Sequence, residues 1–255
     1  MKNNISILGC GWLGLPLALT LTKKGYSIKG STTSEIKVKK LKSNGVQPFI
    51  IDLRDRESKF QKFLNSKVLI IAIPSKNIAD FKNLISHIEN SKIKNILFIS
   101  STSVYPNSNS IVTEKNLIKK NPLSYIELLF KTNTKFKTTI LRFGGLIGYD
   151  RKPGNFFKNE KIINHPDAFV NLIHRDDCIQ IIEGIMEKDI WSTTLNACTN
   201  THPKRRDFYA KEFKKEGRNN PTFNELASNE YKIINSDKLK SILNYNFIYS
   251  DLMKY

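Results

Sequence analysis

"ILGCGWLGLPLALTL" occupies residues 7–21, and its reading decides both the fold and the cell compartment. One reading is an exported lipoprotein leader, with an apolar run, a Leu-Gly-Cys box for lipid attachment and a lysine near the start. The other is the phosphate-binding turn of a nucleotide-binding fold. A leader needs a basic start and a full apolar segment ahead of its cysteine. Only nine residues precede Cys10, and Lys2, Asn3, Asn4 and Ser6 are among them. The apolar residues follow the cysteine instead, and no small-x-small site precedes Thr22 or Lys23. A run of about 15 residues also falls short of the ~20 that a membrane-spanning helix needs. The sequence therefore favours the turn and a cytoplasmic protein.

Gly9-Cys10-Gly11-Trp12-Leu13-Gly14 is a G-x-G-x-x-G set between the strand-like "NISILG" (4–9) and a stretch of helical periodicity, 12–24. In that setting the first glycine permits a tight turn. The second lets backbone approach a pyrophosphate with no Cβ in the way, and the third lets helix and strand pack closely. Exposed N–H groups and the positive helix end then hold the phosphates. Leu13, Leu17 and Leu21 recur every four residues, so the apolar run is the buried face of this helix. The turn predicts a dinucleotide site built on Gly9, Gly11, Trp12, Leu13 and Gly14.

Outward from the turn, short apolar runs alternate with amphipathic stretches. "YSIKGS" (26–31), "PFIID" (48–52), "KVLIIAIP" (67–74), "NILFISS" (95–101) and "TTILRFGG" (138–145) read as strands. Residues 34–43, 76–91 and a shorter stretch after Pro122 read as helices. The unbroken apolar run at 67–74 is that of a strand buried on both faces. Such alternation predicts β-α-β units with right-handed crossovers, giving an α/β fold with a Rossmann-type doubly wound parallel sheet. After Gly148 the pattern becomes irregular. Helices near 176–187, 204–216 and 236–243, with short strands near 169–173, 193–197 and 231–235, predict a smaller C-terminal α/β cap. The expected division is a dinucleotide-binding domain, 1–148, and a small substrate-binding region, 149–255.

The 255 residues, 40% of them hydrophobic, suffice for one sizeable core or for a large domain with a small one beside it. Cys10, Cys178 and Cys198 are odd in number, far apart and in no CxxC pair, so neither a disulfide framework nor a zinc site is suggested. The four histidines, at 87, 165, 174 and 202, include no i, i+4 pair, and no metal site is expected. Net charge is +18, from 41 Lys plus Arg against 23 Asp plus Glu. A charge of that size attracts polyanions, whether nucleic acid, an anionic membrane or phosphorylated small molecules, and it also reads as no more than a generally basic surface. No dense basic tract accompanies it: "KVKKLK" (37–42) reads as a solvated helix face, and "KRR" (204–206) is the tightest cluster. This distribution argues against a nucleic-acid partner, and no segment argues for a membrane.

NAD-selective turns carry Asp or Glu at the end of the second strand, bonded to the ribose hydroxyls. That place holds Ser31-Thr32-Thr33-Ser34 here, with Lys29 and Lys37 nearby. Hydroxyls and lysines suit a 2′-phosphate, and Glu35, the one acid nearby, is read as helical. The expected cofactor is NADP, with NAD left open. The same four residues would also serve as an ST-type turn and helix N-cap. Asp52-Leu53, past the third strand, would flank adenine, or Asp52 would cap the next helix.

"SSTSVY" (100–105) and "ILRFGGLIG" (140–148) resemble the extended short-chain dehydrogenase/reductases, the NAD(P)-dependent nucleotide-sugar epimerase/dehydratase family. "GWLGLPLA", "STSVY", "RKPGNFF" and "VNLIHRDD", in that order, are similar to its atypical YeeZ-like branch, and the resemblance spans nearly the whole chain. It implies that Ser101 is the catalytic hydroxyl that bonds the reacting oxygen and that Tyr105 lines the substrate pocket as a second catalytic candidate. Ala72, Ile73, Pro74 and Ser100 would join the cofactor's contacts, and Leu146 to Gly148 would pass near the nicotinamide. Tyr125, Asn155, Phe156, His174 and Arg175 would face the substrate, and Asp177 would anchor the cap.

The chain departs from that family at its Tyr-x-x-x-Lys pair. Spacing i, i+4 puts both side chains on one helix face, where the ammonium lowers the tyrosine pKa for acid–base work. Here Leu129 stands four residues after Tyr125, and Lys131 is off that face. Aligning Glu127 with the family's glutamate puts Lys119 and Leu123 at the pair positions. Two functions follow as expectations. One is an NAD(P)-dependent oxidoreductase or epimerase/dehydratase-like enzyme acting on a nucleotide sugar or related phosphorylated small molecule. The other is a non-catalytic NADP-binding sensor or regulatory protein. The expected oligomeric state is a monomer or weak homodimer.

Overall fold

Strand and helix alternate in the computed structural model much as the sequence predicts; the structure describes residues 4–55, 59–157, 162–228 and 230–255. Strand β1 (Asn4–Leu8) leads through the glycine turn to α1 (Gly14–Lys23), then β2 (Ser27–Thr32), α2 (Glu35–Ser43) and β3 (Gln47–Ile50). Helix α3 (Phe60–Phe63) precedes β4 (Val68–Ile71), α4 (Ile78–Glu89) and β5 (Asn95–Ser101). Then come β6 (Ile111–Val112), α5 (Pro122–Lys131), β7 (Lys137–Phe143) and β8 (Gly145–Ile147). Strand β9 (Leu172–His174), α6 (Arg175–Glu187), β10 (Thr194–Ala197), α7 (Arg205–Lys215), β11 (Ile233–Ile234) and α8 (Asp237–Leu243) complete the order.

Seven strands form one sheet in the order β10-β7-β5-β4-β1-β2-β3. The registers of β1 with β2 and β4, β2 with β3, and β4 with β5 are all parallel. The bonds Ile140 N–H to Thr193 O and Gly144 N–H to Ala197 O, both 2.9 Å, advance together by four residues, so β10 also runs parallel to β7. The strand placed near 193–197 in the sequence thus lies at the edge of the main sheet. Strand order reverses between β1 and β4, and a crevice at such a reversal is where doubly wound sheets take ligands.

The chain forms two compact units. The first comprises Met1–Ser100, Lys120–Leu141 and Glu183–Thr194. Its α1 buries Gly14, Leu17, Ala18 and Leu21, one helical stripe, against the sheet. All four residues of β4 are buried, as expected of a strand covered on both faces. Helix α4 starts at Asn77, whose side chain accepts the N–H groups of Ala79 and Asp80 at 3.0 and 3.3 Å. Its Phe81 packs edge-on to Phe98 of β5 and Phe130 of α5, with ring centroids 5.8 and 6.0 Å away. Each such aromatic pair adds ~0.5–1.5 kcal/mol beyond the area it buries.

The second unit comprises Ser101–Lys119, Arg142–Ile182 and Leu195–Tyr255. It carries two short parallel pairs, β6 with β11 and β8 with β9. Ile147, Ile163, Val170, Leu172, Phe208, Tyr209 and Leu252 form its core cluster. Asp177, fully buried, ties down the C-terminal segment. Its Oδ1 accepts the Tyr245 hydroxyl and the Ile248 N–H, both at 2.7 Å, and Oδ2 accepts the Tyr249 N–H at 3.2 Å. Among the described residues no helix is long and apolar enough to cross a membrane. Among them, too, no cluster of three or more His, Cys, Asp or Glu side chains is placed to hold a metal ion.

Candidate functional site

A cleft of about 610 Å³ opens in the first unit where β1, β2, β3 and β4 end. Gly9 and Gly11 line it, with Ser31 to Thr33, Asp52, Leu53 and Ala72 to Pro74. These are candidate cofactor residues drawn from four separate stretches of sequence. Parallel strands all deliver their C-terminal ends to one side, which is why the four stretches meet.

The turn is built around its glycines. Gly9 has φ +98°, and an added Cβ would lie 2.5 Å from Ile73 Cγ2 and 2.8 Å from Ala72 O. A Cβ on Gly14 would run into the Gly9 carbonyl, so helix α1 sits directly on the turn. Gly11 is different: among the described residues, nothing beyond its own chain neighbours lies within 4 Å of where its Cβ would be. The protein does not demand a glycine there, while a diphosphate lying on the backbone would. Helix α1 has no side-chain cap and no acid in its first turn, leaving its positive end for an anion. On these observations the residues present fit a dinucleotide.

The polar residues after β2 divide by task. Ser31 Oγ accepts the Gly9 N–H at 2.9 Å, and Ser31 O accepts the Cys10 N–H at 2.7 Å, so Ser31 braces the turn. Thr32 Oγ1 accepts the Ser34 N–H at 3.1 Å, the ST-type turn weighed in the sequence. Ser34 occupies the N-cap position of α2 with no side-chain cap bond. Thr33 is exposed and lines the cleft, and Lys37 lies there too. Lys29 does not: its Nζ donates to the carbonyls of Lys62 and Asn65 at 2.7 and 2.8 Å, two residues back along β2 from Ser31. Asp52 is engaged by Arg54, which holds its carboxyl down at about 2 by side-chain and backbone hydrogen bonds. Arg54, not singled out in the sequence, also lines the cleft. Cys10 lies beneath the turn, its thiol pushed up to about 12 by burial.

Trp12, half-buried, and Leu13, buried, belong to the turn but not to the cleft wall. Ser100 is likewise outside that wall, and its hydroxyl donates to Glu127 Oε1 of α5 at 2.5 Å. That bond fixes the register of α5 against β5. It also places Tyr125, two residues or about 200° around the helix from Glu127, on the other face. There Tyr125 is 43% exposed, with Lys82 Nζ 5.8 Å from its ring centre. Tyr125 is not part of the cleft wall in the first unit.

The remaining candidates belong to the second unit. Ser101 Oγ accepts the Ser103 N–H at 3.1 Å, capping a turn of 3-10 helix, Thr102–Val104. An oxygen that accepts in this way still has its own hydrogen to give. Tyr105 has no exposed surface. Its hydroxyl donates to Asn196 Oδ1 at 2.9 Å and accepts from Arg142 Nη1 at 2.6 Å. Burial pushes the phenol pKa up, against the opposing pull of Arg142. Tyr105 thus stands in a buried polar network rather than on a pocket wall, because Arg142 and Asn196 surround the only polar end it has. Asn155 ends a 3-10 turn, Pro153–Asn155, and Phe156 beside it is 43% exposed. His174 is buried, 3.7 Å between ring centres from Tyr249, with Nδ1 accepting the Asp176 N–H at 3.2 Å. Burial lowers its pKa, and Asp176 and Asp177 oppose that. The Arg175 guanidinium stacks 3.8 Å over the Tyr149 ring.

Residues 4–127 match the family model described as the NAD binding domain of 6-phosphogluconate dehydrogenase. The chain is 27% identical over 267 aligned positions to Protein YeeZ of Escherichia coli (strain K12), covering 97% of this chain and 96% of that one. A functionally unknown conserved protein from Silicibacter pomeroyi shares the fold at TM-score 0.81 and 17% identity, over 98% and 95% of the two chains. UDP-glucuronic acid 4-epimerase from Bacillus cereus, solved with UDP-glucuronic acid and NAD, shares it at TM-score 0.79 and 19% identity, over 98% and 96%.

Proposed function

We propose that this chain belongs with the atypical, YeeZ-like extended short-chain dehydrogenase/reductases, that it binds NADP(H) on the Gly9–Gly14 turn, and that it works on a nucleotide sugar or related phosphorylated small molecule. The observation that carries the reading is the meeting of four strand ends around the glycine turn, with Gly11 open to a ligand. In this reading the first unit, which carries the glycine turn, holds the dinucleotide, and the second carries the substrate-side residues Asn155, Phe156, His174 and Arg175. The cofactor, when bound, supplies the site that accepts or donates hydride. Thr33 and Lys37 favour the phosphorylated form. The Ser101 hydroxyl orients the reacting oxygen by hydrogen bonding, which requires no pKa adjustment.

Proton handling is the weak point. Tyr105 is closed in, Tyr125 faces away from Glu127, and burial disfavours protonated His174. Loss of a tuned acid–base group costs ~10²- to 10⁴-fold, so turnover with this chemistry is slow. The second reading, a non-catalytic NADP sensor or regulatory protein, draws on the Ser100–Glu127 bond. That bond supports the alignment in which Leu123 replaces the family's lysine. Incubation with NADPH and a panel of sugar nucleotides separates the two. Slow NADPH consumption that disappears in Ser101→Ala is the result expected of the enzyme. Tight NADPH binding without turnover, unaltered in Ser101→Ala, establishes the sensor.

A further inference from the structure

We propose that the first unit carries a second binding site, for a phosphate monoester on a polyhydroxylated body such as a sugar phosphate, at the end of the sheet opposite the glycine turn. The inference is independent of the dinucleotide reading, and the two sites share no lining residue.

A hollow of about 680 Å³ is lined by Gln61, Lys62 and Asn65, from α3 and the segment after it, and by His87, Asn90 and Lys92, from the end of α4 and beyond. These two stretches lead into the parallel strands β4 and β5, so the hollow sits where the strands begin. The glycine cleft sits where they end. Among the described residues no Asp or Glu lines the hollow. Glu89, which adjoins Asn90 in the chain, is engaged by Asn133, whose Nδ2 donates to it at 2.6 Å. Just ahead of the two strands, Lys94 N–H donates to Lys67 O at 2.9 Å, which sets two further lysines side by side at the same end of the sheet.

Several polar groups here have no structural task. Lys62 and Lys92 are exposed, and among the described residues neither pairs with a carboxylate. The side-chain amides of Gln61 and Asn65 make no hydrogen bond within those residues either. The carbonyls that would repel an anion are covered, since Lys29 Nζ donates to Lys62 O and Asn65 O at 2.7 and 2.8 Å. Burial, and after it the charge of Lys92, lowers the pKa of Lys29. Cations therefore feel one another here with no acid between them, a repulsion that a phosphate dianion would turn into attraction. The His87 ring is held against Phe60, with centres 4.6 Å apart and planes inclined by 22°. Ammonium groups suit the phosphate, and the two amides, each both donor and acceptor, suit hydroxyls. Leu64 is the one aliphatic side chain on the wall, which favours a hydrophilic body over an acyl chain.

The test is titration of the whole chain with glucose 6-phosphate, and with glucose as control, followed by calorimetry and by the NMR signals of the His87 ring. Glucose 6-phosphate is expected to bind with a Kd below about 1 mM and to shift the His87 signals, and glucose to do neither. Lys62→Gln and Lys92→Gln are each expected to raise that Kd about tenfold, the worth of one charge-assisted bond. Both side chains are exposed, so the unfolding midpoints stay at the parent's value. Lys37→Gln removes the same charge in the glycine cleft and is expected to leave the Kd within about twofold. A loss in Lys37→Gln with none in the other two places the phosphate in the glycine cleft and overturns the inference. Absence of binding, or equal binding of glucose, overturns it as well, and the lysines then serve only to balance the negative end of α4. NADPH binding is expected to be unaltered in Lys62→Gln and Lys92→Gln, so the two sites stand or fall separately.

Discussion

Of the three glycines in the turn, two are closed to any side chain by the protein itself and one is open. The difference separates folding from binding at single residues. In Gly14→Ala the new methyl meets the Gly9 carbonyl, backbone that cannot swing aside. Overpacking of this kind costs ~1–3 kcal/mol, so urea unfolding should show the midpoint falling with an unchanged slope. In Gly11→Ala the methyl enters empty space, with nothing inside 4 Å. Stability should stay within about 0.5 kcal/mol of the parent, as for a surface change, while NADPH affinity drops about tenfold or more because the methyl occupies the diphosphate's place. If Gly11→Ala binds NADPH as the parent does, the pyrophosphate does not lie on this backbone.

At the scale of elements, the Ser100–Glu127 bond joins β5 to α5 where both side chains are almost wholly buried. Ser100→Ala removes the donor and leaves a buried carboxylate oxygen less well served. Bonds to charged groups contribute ~1.5–3 kcal/mol, and a loss near that size should appear in denaturant unfolding. Glu127→Gln keeps an acceptor and should cost less; equal losses in the two would mean the bond is incidental. The same elements show what the sequence reveals and what it hides. Helices α1 and α4 announce themselves because their apolar stripes run for ten and twelve residues. Helix α3 has four residues and β6 has two, too few to establish a period. The hidden α3 matters for Lys29, whose amine goes to carbonyls of Lys62 in α3 and Asn65 just past it. The cleft wall was legible because parallel strands must end on one side. The chemical end was not. Tyr105 follows a serine-rich strand end as the resemblance requires, yet its neighbours Arg142 and Asn196 come from segments 37 and 91 residues away. No local pattern carries such a pairing. The position of Tyr125 was within reach, since its two-residue offset from Glu127 already fixes the opposite helix face.

For the whole molecule, the dominant number is a net charge of +18. Two opposing electrostatic effects act on stability, and salt weakens both. Surface ion pairs such as Lys24–Glu187 at 3.2 Å and Arg206–Glu225 at 2.8 Å favour the folded state. Each exposed pair contributes only ~0–1 kcal/mol. Against them stands repulsion among 41 cationic side chains with 23 acids to offset them, spread over one folded surface. Folding brings these charges closer than the unfolded chain holds them, and a net charge this far from zero destabilises the compact state through self-repulsion. The Debye length falls from about 10 Å at 0.1 M to about 3 Å at 1 M. Thermal melts across that range of sodium chloride should therefore show Tm rising, by ~2–4 °C for each kcal/mol of repulsion screened in a chain of this size. NADPH affinity should move the other way over the same range, because the attraction of a basic surface for a polyanion is screened equally. A Tm that falls with salt would mean that the ion pairs outweigh the repulsion and that acids and bases are matched more evenly on the surface than their totals imply.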